Sequence, residues 1–186
     1  PVIMPKPLLA FIFIFLILIS VLFANHQSQK EQQVLAPMPL IDFSLADLAG
    51  ELTPISKWRG KILIINFWAT WCPPCLKEIP DFIALQNEYA DKNVQFIGIA
   101  IDTPELVADY LAFIDINYPI LMAEVEGQQL AKQLGNVVNA VPFTLIVNAN
   151  NKIIFRHPGD LSKTKIRQII DPLVQQEPTK PITIEN

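Results

Sequence analysis

Cysteine and histidine are nearly absent: the 186 residues contain two of each. Two cysteines cannot build the disulfide framework that stabilises small secreted scaffolds. A metal centre asks for about four ligands, and beyond the cysteines only His26 and His157 remain as soft donors. Basic runs are missing as well. Lys and Arg number 14 against 18 Asp and Glu, a net charge of −4, and no stretch concentrates them. That argues against a nucleic-acid partner. No segment repeats another, and nothing marks a second globular domain.

Apolar residues are abundant instead, at 51% of the chain, and much of the excess lies in one run. LLAFIFIFLILISVLFA, residues 8–24, holds no charge and one polar side chain, Ser20. As a helix it reaches about 25 Å, the short limit for crossing a hydrocarbon core of about 30 Å. A cleaved signal peptide is the alternative, but its apolar core is usually shorter and its exit carries small residues. Here Leu22 stands three places before a cut after Ala24, so residues 1–24 read as a retained signal anchor. No cysteine follows the run, which excludes a bacterial lipoprotein anchor. Lys6, before the run, places the N-terminus in the cytoplasm and the rest outside. Residues 25–37, NHQSQKEQQVLAP, are polar and read as a tether with a reach of about 20 Å. Residues 177–186 read as a flexible tail.

Between tether and tail the pattern is globular. LIDFSL and ELTPI flank Ala49-Gly50 and read as an opening hairpin. KILIINFW (61–68) and VQFIGIAI (94–101) are nearly continuous apolar runs, as expected of strands covered on both faces. A helix follows the first, to about Ala90. Thr103-Pro104 caps another. EGQQLAKQLG (126–135) reads as a short helix closed by Gly135. PFTLIV and KIIFRH flank NANN as a hairpin, and Ser162 caps a last helix with an apolar stripe from Ile166 to Val174. Strands alternating with helices predict a parallel core, with the hairpin adding antiparallel edge strands.

Both cysteines stand in FWATWCPPCLKEIP, residues 67–80. A bridge over a two-residue loop removes little unfolded-state entropy, so a structural staple is a poor reading. A reactive pair has a physical basis. The pair follows a buried strand and opens a helix, so Cys72 occupies or adjoins the N-cap. There the unpaired N–H groups and the helix dipole favour a thiolate. Pro73 and Pro74 fit the first two helical positions, where no N–H is needed. Cys72 then attacks, and Cys75 resolves the mixed disulfide.

NFWATWCPPCLKEIP resembles the active site of the TlpA/ResA-like family of membrane-tethered, thioredoxin-fold thiol–disulfide oxidoreductases. The order of elements over about residues 40–175 agrees, as do anchor and tether. The resemblance implies an α/β, thioredoxin-like domain over 38–176, with a central mixed sheet flanked by helices. It assigns Pro142, after Val141, to a cis-proline facing the cysteines, where the neighbouring backbone pairs with an extended substrate. The bland alternative is an ordinary strand-opening proline. The family often has threonine directly after this proline; here Phe143 comes first and Thr144 second, which predicts a more apolar groove. Glu78, by composition a solvated helix glutamate, becomes by resemblance the group that relays a proton to Cys75. Asn66 stands where cytoplasmic thioredoxins carry a buried aspartate. It cannot titrate, which favours Glu78 as the acid–base group, although a core asparagine without a chemical role is an equal reading. Trp71 shields the disulfide and offers a flat apolar contact, whereas Trp68 reads as core.

The implied function is an extracytoplasmic thiol–disulfide oxidoreductase on the bacterial cytoplasmic membrane. The implied direction is reduction of oxidised proteins, apocytochrome c among them, with recharging by a transmembrane thiol-interchange protein. No cofactor and no metal is expected, because the dithiol carries the electrons. The alternatives are an oxidase or isomerase on the same fold, and a metal-delivery module such as a copper chaperone, which the scarcity of His and Met near the pair disfavours.

Overall fold

The computed structural model describes residues 15, 19, 20 and 37–175. The chain divides into two compact units, Pro1–Leu35 and Ala36–Asn186. In the first, Phe15, Ile19 and Ser20 are helical. The remainder of the expected anchor, the tether up to residue 36 and the tail at 177–186 lie outside the described residues. Among the described residues no helix is long and apolar enough to cross a membrane.

The second unit is built on one sheet. Its strands are β1 (Met38–Pro39), β2 (Ser44–Ala46), β3 (Leu52–Pro54), β4 (Ile62–Trp68), β5 (Val94–Ala100), β6 (Ile120–Met122), β7 (Phe143–Val147) and β8 (Lys152–Pro158). They lie in the order β1-β8-β7-β4-β5-β6-β2-β3. β4, β5 and β6 run parallel, while β7 pairs antiparallel with β4 and β8 with β7. The helices are α1 (Pro73–Glu88), α2 (Pro104–Leu111), α3 (Glu126–Gln133) and α4 (Lys163–Gln175), with a 3₁₀ turn at Ile55–Trp58. This is the thioredoxin-like α/β architecture with a mixed sheet.

All seven residues of β4 are buried, because each face of the strand is covered. Leu63, Ile65 and Phe67 pack with Ala131 and Leu134 at α3 and with Ile55 and Trp58. Ile62 and Ile64 pack with Phe82, Leu85 and Tyr89 of the α1 region and with Ile166 and Ile170 of α4. The period-two alternation of a strand thus sends odd-numbered positions to one core and even-numbered positions to the other. Asn66 is even-numbered and faces the α1 side.

β2 and β3 pair antiparallel around a turn in which Asp47 Oδ1 accepts the N–H groups of Ala49 and Glu51 at 2.9 and 3.0 Å. Gly50 there has φ +82°, the left-handed region that glycine enters without penalty.

Three elements differ from expectation. β6, between α2 and α3, was not foreseen; three residues are too few to display a period, and Gly98 N–H donating to Pro119 C=O at 2.9 Å guides the strand into place. β7 is central rather than an edge, since β4 and β8 flank it. β8 is an edge only in part, because the two-residue β1 covers it at Lys152 and Ile153.

Candidate active site

β4 ends at Trp68, and the chain turns through Ala69–Trp71 into α1. A carboxylate holds this turn. Asp102 Oδ2 accepts the Thr70 N–H at 3.0 Å and the Thr70 hydroxyl at 2.6 Å. Its other oxygen accepts the Thr103 N–H at 3.0 Å, and Thr103 caps α2. Asp102 is buried. The expectation for Thr103-Pro104 stopped at the cap and missed this clamp; an aspartate directly after a buried strand was the available signal.

Cys72 is the N-cap of α1, and Pro73 and Pro74 occupy its first positions. The Cys75 N–H donates to Cys72 Sγ at 3.3 Å. A disulfide joins the two residues, with Cα atoms 5.3 Å apart, so the structure records the oxidised state. Cys72 retains 3% exposure and Cys75 none. They pack in a cluster with Trp68, Ala69, Ile79, Ala100, Val107 and Met122.

Glu78 lies one turn beyond Cys75 on α1 and is 4% exposed. It is not a solvated helix glutamate. Its Oε1 accepts from Asn66 Nδ2 at 2.8 Å and its Oε2 from the Leu161 N–H at 3.0 Å. Burial pushes the carboxyl up to about 7; the bonds from Leu161 and Asn66 pull the other way, and the charge of Asp160 adds to the rise. A buried carboxyl with this affinity exchanges protons near neutral pH. Asn66 also donates to Thr144 Oγ1 at 3.0 Å, its direct cross-strand partner.

The Val141–Pro142 peptide bond is cis. Pro142 is buried, and its C=O accepts the Gly159 N–H at 2.8 Å. Val141 is half-buried and packs against the cysteine cluster. Trp71 is 62% exposed and stands between two pockets. One, of about 260 Å³, is lined by Trp71, Ile101, Gln128, Asn139 and Val141 among others. The second, of about 240 Å³, brings Trp71 together with Asp102, Thr103 and Val125. Phe143 does not make the groove more apolar, contrary to expectation. It is fully buried and packs against Phe67 in a tilted arrangement with ring centroids 5.9 Å apart, on the opposite face of the sheet from Thr144.

Trp68 is core, as its sequence position predicts, packing against Tyr110 with ring centroids 5.6 Å apart. His157 lies on β8 and bonds to the Asp160 carbonyl at 3.2 Å; His26 lies outside the described residues. Among the described residues no three His, Cys, Asp or Glu side chains gather as a metal site.

The family model named Redoxin matches residues 33–170. The chain belongs to this family. It is 31% identical over 177 residues to the thiol:disulfide interchange protein DsbE of Vibrio cholerae, covering 91% of this chain and 92% of that protein. It is 27% identical over 172 residues to the thiol-disulfide oxidoreductase ResA of Bacillus cereus, covering 90% and 97%. Among solved structures, a thioredoxin-family thiol:disulfide interchange protein from Chlorobium tepidum superposes with a TM-score of 0.67 at 29% identity, covering 74% of this chain and 97% of that one. Within the Redoxin family the chain is a TlpA/ResA-like member, a thiol–disulfide oxidoreductase of the ResA/DsbE type.

Proposed function

We propose that the protein reduces protein disulfides outside the cytoplasm through the Cys72–Cys75 dithiol. The observation that carries this reading is the cysteine pair at the N-terminus of α1 with the buried Glu78 one turn beyond it. In the reduced enzyme the Cys72 thiolate, favoured by the helix terminus, attacks a substrate disulfide. A Cys72–substrate disulfide forms and one substrate thiolate leaves. Glu78 takes the proton of Cys75, and the Cys75 thiolate attacks Cys72 Sγ. The Cys72–Cys75 disulfide forms, the second substrate thiolate departs, and the Glu78 proton passes to it or to water. Two electrons move from the dithiol to the substrate, and no cofactor or metal is required.

Trp71, Val141 and Pro142 form the substrate side of the site. Val141 and Pro142 offer backbone to an extended segment, and Trp71 offers a flat apolar surface. Residues 1–24 hold the enzyme on the bacterial cytoplasmic membrane as a single span, residues 25–37 tether the domain of residues 38–176, and 177–186 is a flexible tail. The apolar run at 8–24 supports this. A transmembrane thiol-interchange protein recharges the dithiol, and substrates include oxidised cysteine pairs of apocytochrome c; both rest on the family resemblance.

The test is single-turnover reduction of a disulfide-bonded protein by the pre-reduced full chain, counting substrate thiols by alkylation and mass. Two thiols per enzyme are expected from wild type and none from Cys72→Ser. An active Cys72→Ser variant refutes the scheme.

A further inference from the structure

The two oxygens of Glu78 face partners of different kinds. Oε2 meets the backbone N–H of Leu161 at 3.0 Å, a donor that can never accept. Oε1 meets the side-chain amide of Asn66 at 2.8 Å, and the same Nδ2 reaches the Thr144 hydroxyl at 3.0 Å. An amide has a donor end and an acceptor end, and a hydroxyl is both. This arrangement suits a carboxylate: two N–H groups point at it, and the second hydrogen of Nδ2 goes to Thr144. A protonated Glu78 needs an acceptor in this buried place, because an unsatisfied buried polar group is costly. Half a turn of the Asn66 amide puts Oδ1 where Nδ2 now stands. That oxygen then accepts from Glu78 and, after rotation of its hydroxyl, from Thr144.

We propose that Asn66 and Thr144 are positioning residues that keep Glu78 hydrogen-bonded in both protonation states, by an amide flip coupled to a hydroxyl rotation, while the Leu161 N–H confines the proton to Oε1. The inference rests on the reading of Glu78 as the proton carrier and adds how a buried group can carry one repeatedly. It also gives asparagine a reason to stand in the middle of a buried strand: an aspartate could not serve both states without itself changing charge. The other ionisable groups that face Glu78 do not substitute for the pair. Asp160, in the turn before α4, opposes ionisation of Glu78 by its charge. Tyr118, before β6, is pushed far above neutrality, by burial first and by Glu78 next, so it stays protonated. Cys72 and Cys75 are disulfide-bonded in this state.

The experiment is NMR titration of the ¹³C,¹⁵N-labelled full chain, oxidised and in detergent micelles, following Glu78 Cδ and the Asn66 side-chain amide. Both are expected to titrate with one midpoint. An Asn66 amide that stays flat while Glu78 titrates overturns the proposal. Thr144→Val gives a second reading. It strands an Nδ2 hydrogen in the ionised state but only one lone pair of Oδ1 in the neutral state, and the first is the costlier loss. The Glu78 midpoint is therefore expected to rise by about 0.5–1 pH unit, an affinity change of about three- to tenfold, with Thr144→Ser restoring it. An unchanged or lowered midpoint in Thr144→Val overturns the coupling; if that variant fails to fold, the wild-type titration decides. Failure of the functional reading shows elsewhere. A Glu78 and Asn66 that titrate together, but leave no trace in the pH profile of disulfide exchange, keep this pair and remove Glu78 from the proton path.

Discussion

The backbone N–H of Cys75 points at the sulfur of Cys72, 3.3 Å away. Two neighbouring donors are absent because Pro73 and Pro74 have no N–H, so this bond and the helix dipole act on one sulfur. Both favour its anionic form. Cys72 is also the cysteine that keeps some exposure, 3% against none for Cys75. These asymmetries divide the labour of the pair. Cys75→Ser is expected to accumulate Cys72–substrate mixed disulfides, visible as a mass adduct on non-reducing gels and lost on adding dithiothreitol. The Cys72 thiol in that variant should titrate below the ordinary value of about 8.5, read from the pH dependence of alkylation.

Glu78→Gln should slow the resolving step by about 10²-fold, the low end of general acid–base effects, and flatten its pH profile near 7. Stability gives an independent check. The folded-state value of about 7 lies above the unfolded 4.5. The stabilisation associated with protonated Glu78 is therefore complete below about pH 4.5 and is lost as pH rises through 7. The loss is about 3 kcal/mol at most. In denaturant unfolding, wild type should weaken relative to Glu78→Gln between pH 4.5 and 8. A constant difference would show that Glu78 does not titrate in that range.

Thr70→Val removes a 2.6 Å bond to the Asp102 carboxylate. It should cost about 1.5–3 kcal/mol, the range for bonds to charged groups, and loosen the turn that carries Trp71 and Cys72. Thr70→Ser should recover most of it. Denaturant midpoints and single-turnover rates measured together on both variants check this.

Trp71→Ala tests the substrate face. The side chain is 62% exposed, so stability should change by no more than about 0.5 kcal/mol. Reduction of the enzyme by dithiothreitol should be unaffected, while kcat/KM for a protein disulfide falls. Equal loss with both partners would place Trp71 in the chemistry rather than in binding.

Much of the site was legible because local chemistry dictates it. A strand as apolar as KILIINFW is covered on both faces, and a cysteine between such a strand and two prolines has little choice but to cap the helix. Thr103 and Gly135 announced a helix start and a helix end for the same kind of reason. What escaped depends on partners distant in sequence. β6 has three residues and exists by pairing with β5 and β2. Phe143 directly after Pro142 predicts a more apolar groove, yet the register that opposes it to Phe67 turns it into the core and leaves Thr144 to meet Asn66. Leu161 N–H reaches Glu78 across 83 residues of sequence, a contact no local pattern reveals. The role of Asp102 was hidden because its partner, Thr70, lies 32 residues earlier.

The direction of electron flow is the central claim, and the reduction potential of Cys72–Cys75 measures it. The full chain would be equilibrated in dithiothreitol and glutathione redox buffers, with free thiols counted by alkylation and mass. A potential of roughly −250 mV or lower, near the value of about −270 mV for thioredoxin, is the predicted result. It makes the protein a reductase that needs an electron supply from across the membrane. A potential near about −120 mV, that of a strong disulfide-forming oxidant, would contradict it and reverse the direction of the reaction.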